Sequence, residues 1–201
     1  MATVMDRTIR DKVDEALGDA PEIMKTAFEN ILTDLEKNPP DNAAHNTSAG
    51  RIGQRSGVVS ELTVIMPLKP GGADRLRNIL KLVKGNFRGA DRIGTLHNMR
   101  FIFIENDTKM LFATAYDGDW DAYIEDFATK MPDEMDLIFG YIDGWVGIRN
   151  VQASKDFIVA HQLPADAWYV ATPNLSVVET RRLERIGKAL DEFLDNVAEP
   201  A

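Results

Sequence analysis

The chain has 201 residues and no cysteine, and its 32 acidic against 23 basic side chains leave a formal charge of -9. The absence of cysteine excludes a disulfide scaffold, a cysteine-ligated metal centre and a thiol nucleophile, and the acidic balance argues against a nucleic-acid partner, because counterion release needs clustered cations. At 44% hydrophobic and 27% charged residues the composition is that of a globular protein able to bury a core, so any chemistry falls to carboxylates, hydroxyls, three histidines or a borrowed cofactor.

The first ten residues mix Asp6, Arg7 and Arg10 with polar groups and lack a signal-peptide stretch. No window approaches the roughly 20 apolar residues of a membrane span. A soluble, cytoplasmic protein without a membrane partner is expected. Val13 and Leu17, then Ile23, Met24, Phe28, Ile31, Leu32 and Leu35, recur at helical spacing, with Pro21 opening the second stretch. Asn38, Pro39 and Pro40 end it. Residues 41–57, rich in Asn, Ser, Gly and Arg, read as a linker or mobile loop, so 1–57 is expected to be a helical arm with a flexible loop and 58–201 the folded domain.

Residues 58–68 alternate as a strand, and Leu76, Ile79, Leu80 and Val83 predict a helix ending near Gly85. Residues 92–105 and 109–116 predict a hairpin turning at Asn106 and Asp107. Asp119 is placed to cap a helix whose buried face is Trp120, Tyr123, Ile124, Phe127 and Met131. Short helices over 132–142 and 154–162, a strand over 165–172 and a long C-terminal helix complete the chain. That last helix opens with Ser176 and Glu179 spaced as a capping box, and its apolar stripe is Leu183, Ile186, Leu190, Phe193, Leu194 and Val197.

The core order is βαββαβ, an α+β, ferredoxin-like sheet with helices on one face. On the second strand both alternating sets, Thr95, His97, Met99, Phe101, Phe103 and Leu96, Asn98, Arg100, Ile102, Ile104, carry large apolar groups. The open face therefore needs a cover, either a second copy of the chain or the N-terminal helices.

The order of elements and the two-faced sheet resemble the dimeric α+β-barrel superfamily, and the stretch from Ile93 to Phe101, with His97 and Arg100, and the later Asp117, Gly118 and Trp120 resemble, more narrowly, a bacterial group of ferredoxin-like proteins. Members of the superfamily include antibiotic-biosynthesis monooxygenases, chlorite-dismutase-like proteins and dye-decolourising-peroxidase-like proteins. The resemblance implies a homodimer or higher homo-oligomer and a small-molecule oxidoreductase, monooxygenase-like or peroxidase-like, acting on a hydrophobic, aromatic compound on the sheet face. Related barrels include cofactor-free oxygenases and haem enzymes, so the cofactor is none or haem, with His161 the late histidine at which haem could bind. The alternatives are a non-catalytic ligand-binding or assembly module, in which the Arg51 and Arg55 loop meets a partner, and a haem-binding protein.

An imidazole in a strand exchanges protons near neutral pH, which makes His97 the candidate general base; a space-filling histidine bonded to a neighbouring strand is its bland counterpart. Arg100 is the second candidate catalytic residue, binding an anion or carbonyl. Strict alternation sets it on the face opposite His97, so the two could act together only across a bulge or from two subunits, and its structural partner would be Glu61 or Asp126. Asn98, Tyr116, Phe101 and Trp145 are the candidate substrate contacts; Trp120, Trp168 and Tyr169 are further aromatics able to line a pocket. Acids crowding 117–126 and 133–136 suit helix N-termini better than a cation, and no metal site is assigned.

Overall fold

A computed structural model describes Asp11, Glu15 and residues 17–38, 46–82 and 88–198. The chain divides into two compact units, Met1–Ala43 and Ala44–Ala201. In the first, helix α1 (Glu22–Lys37) follows Pro21, with Glu22 in its first turn and Lys37 in its last, the order that complements the helix dipole. None of its residues is buried, and Ile23, Met24, Ile31 and Leu35 are exposed. Val13, Pro39 and Pro40 lie outside the described residues.

The second unit runs β1 (Thr47–Ser48), β2 (Gln54–Ser56), β3 (Val59–Pro67), α2 (Gly72–Leu82), α3 (Arg88–Ile93), β4 (Leu96–Ile104) and β5 (Lys109–Asp117). It continues with α4 (Trp120–Lys130), α5 (Pro132–Phe139), α6 (Val151–His161), β6 (Gln162–Leu163) and α7 (Val177–Ala198). All six strands join one antiparallel sheet in the order β1-β2-β3-β5-β4. β6 also pairs with β3, through Thr63 and Val64, and so shares with β2 the edge that β5 leaves free. The architecture is thus α+β, with an open sheet.

One sheet face carries Leu62, Val64 and Met66 of β3 and Met110, Phe112 and Tyr116 of β5 against Trp120, Tyr123, Ile124 and Phe127 of α4 and Phe139 of α5. Phe101 stacks on Phe112 with ring centroids 5.0 Å apart, and Phe139 meets Phe112 edge-on at 5.5 Å. Each large side chain buried in this way contributes on the order of 2 kcal/mol. The α4 stripe is the one its spacing predicts. Asp119 caps that helix by accepting the Asp121 N–H at 2.9 Å, and Pro132 starts α5 at a position where a missing N–H costs nothing.

Three expectations change. The second strand begins at Leu96 because α3 continues to Ile93 and Gly94, at φ 74°, breaks the chain. The last strand is the two-residue β6 and not 165–172, since Pro164 has no N–H to extend the ladder. Residues 46–57, read as a loop, carry β1 and β2 and are pinned to the core. Ala49 is fully buried and its carbonyl accepts the Trp120 N–H at 3.0 Å. Gly53 (φ 99°) and Gly57 (φ 61°) permit this path, since a Cβ would lie 2.5 Å from the Glu61 carbonyl at the first and 2.2 Å from the Pro173 carbonyl at the second.

The same segment carries a charge cluster. Arg51 meets Asp121 at 2.9 Å, and Lys155, only 6% exposed, meets Asp121 at 2.8 Å and Glu125 at 2.6 Å. The hydrogen bonds from Arg51 and then Lys155 hold the Asp121 carboxyl below its ordinary value. A depressed folded-state pKa stabilises the protein above the unfolded value of about 3.9, and that contribution is lost as pH falls through the folded value. Asp121→Asn is therefore expected to lower the melting temperature by a few degrees at pH 7, with the gap from the parent closing below about pH 3. A gap that persists unchanged into acid would show that the ion pairs are not its source.

Candidate functional site

The face of the sheet away from the helices is not regular. Leu96 is opposite Tyr116 and Asn98 is opposite Ala115, so His97 is an extra residue in β4, a bulge that breaks the alternation of the strand. Met99, Phe101 and Phe103 pack into the core with Leu96. His97 and Asn98 both reach the outer face, and Arg100, two residues beyond Asn98, follows them there. A bulge, one of the two ways in which His97 and Arg100 could share a face, is thus what the strand contains.

His97 Nε2 lies 2.7 Å from Asp117 Oδ1, with both side chains largely shielded. A carboxylate accepts, so Nε2 carries a proton, and in the neutral ring Nδ1 is then the nitrogen with the lone pair. The second Asp117 oxygen accepts the Val177 N–H at 2.7 Å, which fixes the carboxylate at the start of α7. One acid thus orients the imidazole and caps a helix.

Beside this pair is a cleft of about 210 Å³. Val59 and Ala115 form its floor, His97 and Asn98 one polar wall, and the segment 168–172, with Trp168, Tyr169 and Thr172, the other. That segment is held over the outer face from its two ends. Glu61, buried on that face, accepts the Ala165 N–H at 3.2 Å and the Gln54 N–H at 3.1 Å, and the Pro173 carbonyl accepts the Val58 N–H at 2.8 Å.

Of the other candidates, Arg100 is exposed and has no ion-pair partner among the described residues. Glu61 is bound to backbone N–H groups and Asp126 to Lys130 at 2.8 Å, so neither proposed acid reaches it. Tyr116 and Phe101 face the core, away from the cleft: Tyr116 is fully buried and stacked 3.9 Å from Tyr123, and burial pushes its phenol up. Trp145 packs on Phe139 and donates to Asp136 Oδ1 at 3.0 Å, which also accepts the Ile148 N–H, so it anchors the 144–149 loop and does not line the cleft. Arg55 is taken by Ser60 Oγ at 3.0 Å and by the Gly118 carbonyl, and Arg51 by Asp121.

Haem does not fit. His161 donates from Nδ1 to the Phe157 carbonyl at 2.8 Å, its ring tilted over Phe157 at 4.2 Å, and it does not line the cleft. The cleft is smaller than the roughly 300–1,000 Å³ that hold drug-sized ligands, and a tetrapyrrole needs more. Asp119, Asp121 and Glu125 are engaged with cations or a helix N-terminus, and among the described residues no group of three or more side chains is arranged to hold a metal ion.

Asp117, Trp168, Tyr169 and Thr172 complete the site. Asp117 was within reach of sequence reasoning: counting back from the turn at Asn106 and Asp107 places the end of β5 beside His97. Thr172 and the closing of 168–172 over the sheet leave no local signal, because contacts more than a hundred residues apart in sequence hold the segment. No helix among the described residues is long and apolar enough to cross a membrane. Compared with protein-family models, curated proteins and solved structures, the chain gives no match.

Proposed function

We propose that the cleft binds a small planar aromatic compound with an acidic proton, and that His97 removes that proton through Nδ1 while Asp117 holds the ring and stabilises the imidazolium. The observation that carries this reading is His97, held by Asp117 at 2.7 Å, in the wall of an aromatic-edged cleft. Asn98 supplies a hydrogen bond to the substrate, and Arg100 a cation on the same face for a ligand oxyanion.

The strand order β6-β3-β5-β4 and the helices on one face support a ferredoxin-like sheet, and with it the resemblance to the dimeric α+β barrels. Ile65, Leu111, Ile102 and Ile104 on the outer face, with Ile102 exposed, support cover by a second copy. Within that resemblance the reaction is a cofactor-independent, monooxygenase-like oxidation. The substrate anion adds dioxygen at a ring carbon that still bears a hydrogen, the peroxide formed takes the first proton back from His97, and loss of that C–H proton with cleavage of the O–O bond leaves a carbonyl oxygen in the product and releases the other oxygen as water.

A coloured phenol tests the first step. 4-Nitrophenol is expected to bind and to show the phenolate band at a lower pH than in buffer, and His97→Ala is expected to abolish that shift with little change in melting temperature. Equal shifts with the parent and the variant would overturn the assignment. Oxygen uptake with a panel of oxidisable phenols then separates an oxygenase from a binding module, and a Soret band in freshly purified protein would move the assignment to haem.

A further inference from the structure

Helix α7 leaves the domain and keeps an apolar stripe in solvent. Its start is well fixed: Ser176 and Glu179 form the capping box, with Glu179 Oε2 accepting the Ser176 N–H at 2.9 Å, and Val177 is buried. From Arg181 to Val197 every residue except Gly187 is exposed. Leu183, Ile186, Leu190, Phe193 and Val197 recur at alternating spacings of three and four, the seam of a two-helix coiled coil, with Leu194 widening it. Their exposures run from 48% at Leu183 to 67% at Val197. A helix in water rarely holds its shape without burying such a face.

The charges along α7 identify what covers it. Residues 181–188 carry Arg181, Arg182, Arg185 and Lys188 against the single acid Glu184, whereas 191–195 carry Asp191, Glu192 and Asp195 and no cation. A parallel pair would set basic half on basic half. An antiparallel pair sets each basic half on an acidic half and opposes the helix dipoles favourably. An anionic membrane would meet the acidic half, and the polar face lacks the uniform basic character of surface-seeking helices.

We propose that α7 docks antiparallel on α7 of a second copy of this chain, centred near Lys188. Leu183 then packs against the partner's Phe193 and Ile186 against the partner's Leu190. Gly187, with nothing within 4 Å of where a Cβ would lie, and Ala189 keep the crossing narrow. The pair buries on the order of 1,000 Å², about the minimum for a specific interface. The contact is separate from the outer sheet face and does not rest on the reading of the cleft.

Sedimentation of the full chain tests it. Leu190→Asp is expected to weaken self-association at least tenfold, and Ile102→Asp, on the sheet face, to leave the α7 contact in place. Because Leu190→Asp also places a charge in the helix, Leu190→Ala is decisive: it removes the central seam contact, keeps helix propensity, and is expected to weaken the pair with helix content unchanged. The chain has no native cysteine, so crosslinking reads the orientation directly. Ala189→Cys, near the centre, is expected to form an intermolecular disulfide, and Leu183→Cys is not, since antiparallel packing separates its two copies by about 15 Å. A monomer at every concentration, equal crosslinking at both positions, or helix ordering on anionic vesicles in place of self-association would each overturn the proposal.

Discussion

Trp120→Ala is expected to destabilise the second unit by about 3–5 kcal/mol, the largest effect of any single substitution considered for this fold. Trp120 is fully buried, and its loss removes more than core volume. Its Nε1 donates to Gln162 Oε1 at 2.7 Å, and Gln162 in turn donates to the Ile52 carbonyl at 3.0 Å. The Arg51 guanidinium lies 5.1 Å over the indole. One side chain therefore joins α4, β6 and the 46–57 segment, three parts of the chain that share no local contact in sequence. Trp120→Phe separates the two contributions: it keeps most of the apolar volume but leaves the buried Gln162 oxygen without its donor, at a cost of roughly 1–3 kcal/mol. Urea denaturation gives both values, and hydrogen exchange over 46–57 should rise far more in the alanine variant. A loss below 1 kcal/mol for Trp120→Ala, or unchanged protection of 46–57, would show that this packing does not hold the segment.

The same three-way contact explains where sequence reasoning reaches and where it stops. α4 was legible because Trp120, Tyr123, Ile124 and Phe127 keep the helical period and Asp119 supplies a cap, all within a dozen residues. β3 and the hairpin of β4 and β5 were legible for the same reason, local alternation and a local turn. The segment 46–57 looked mobile because what fixes it, Trp120, Glu61 and Gln162, is distant in sequence, and polar composition carries no trace of that. β6 is two residues long, too short to show any period. The bulge at His97 lies in a run, 95–104, without glycine or proline, so a bulge could be raised as one way to bring His97 and Arg100 to a common face but no residue marks its position. His97 itself was legible as the one histidine in a strand; its partner was legible as an acid at a helix start, and the hairpin register places it beside His97.

That partner gives the sharpest test of the site. Asp117→Asn is expected to lower phenol deprotonation or turnover a hundredfold or more while lowering stability by only about 1 kcal/mol. The asparagine oxygen can still accept the Val177 N–H, so the α7 cap survives. Its amide nitrogen then faces His97 Nε2, and a donor there forces the ring to accept at Nε2 and to carry its proton on Nδ1. The base that should receive the substrate proton is occupied, and the carboxylate that would stabilise the imidazolium is gone. Asp117→Ala differs in a way that distinguishes the two roles: it frees the ring to adopt either tautomer but leaves the Val177 N–H uncapped, so its activity loss is smaller and its stability loss larger. The nitrogen chemical shifts of His97 read the tautomer without any substrate, with Nε2–H expected in the parent and Nδ1–H in Asp117→Asn. If both proteins show the same tautomer, the carboxylate does not orient the ring, and His97 reverts to a histidine that merely bonds a neighbouring strand.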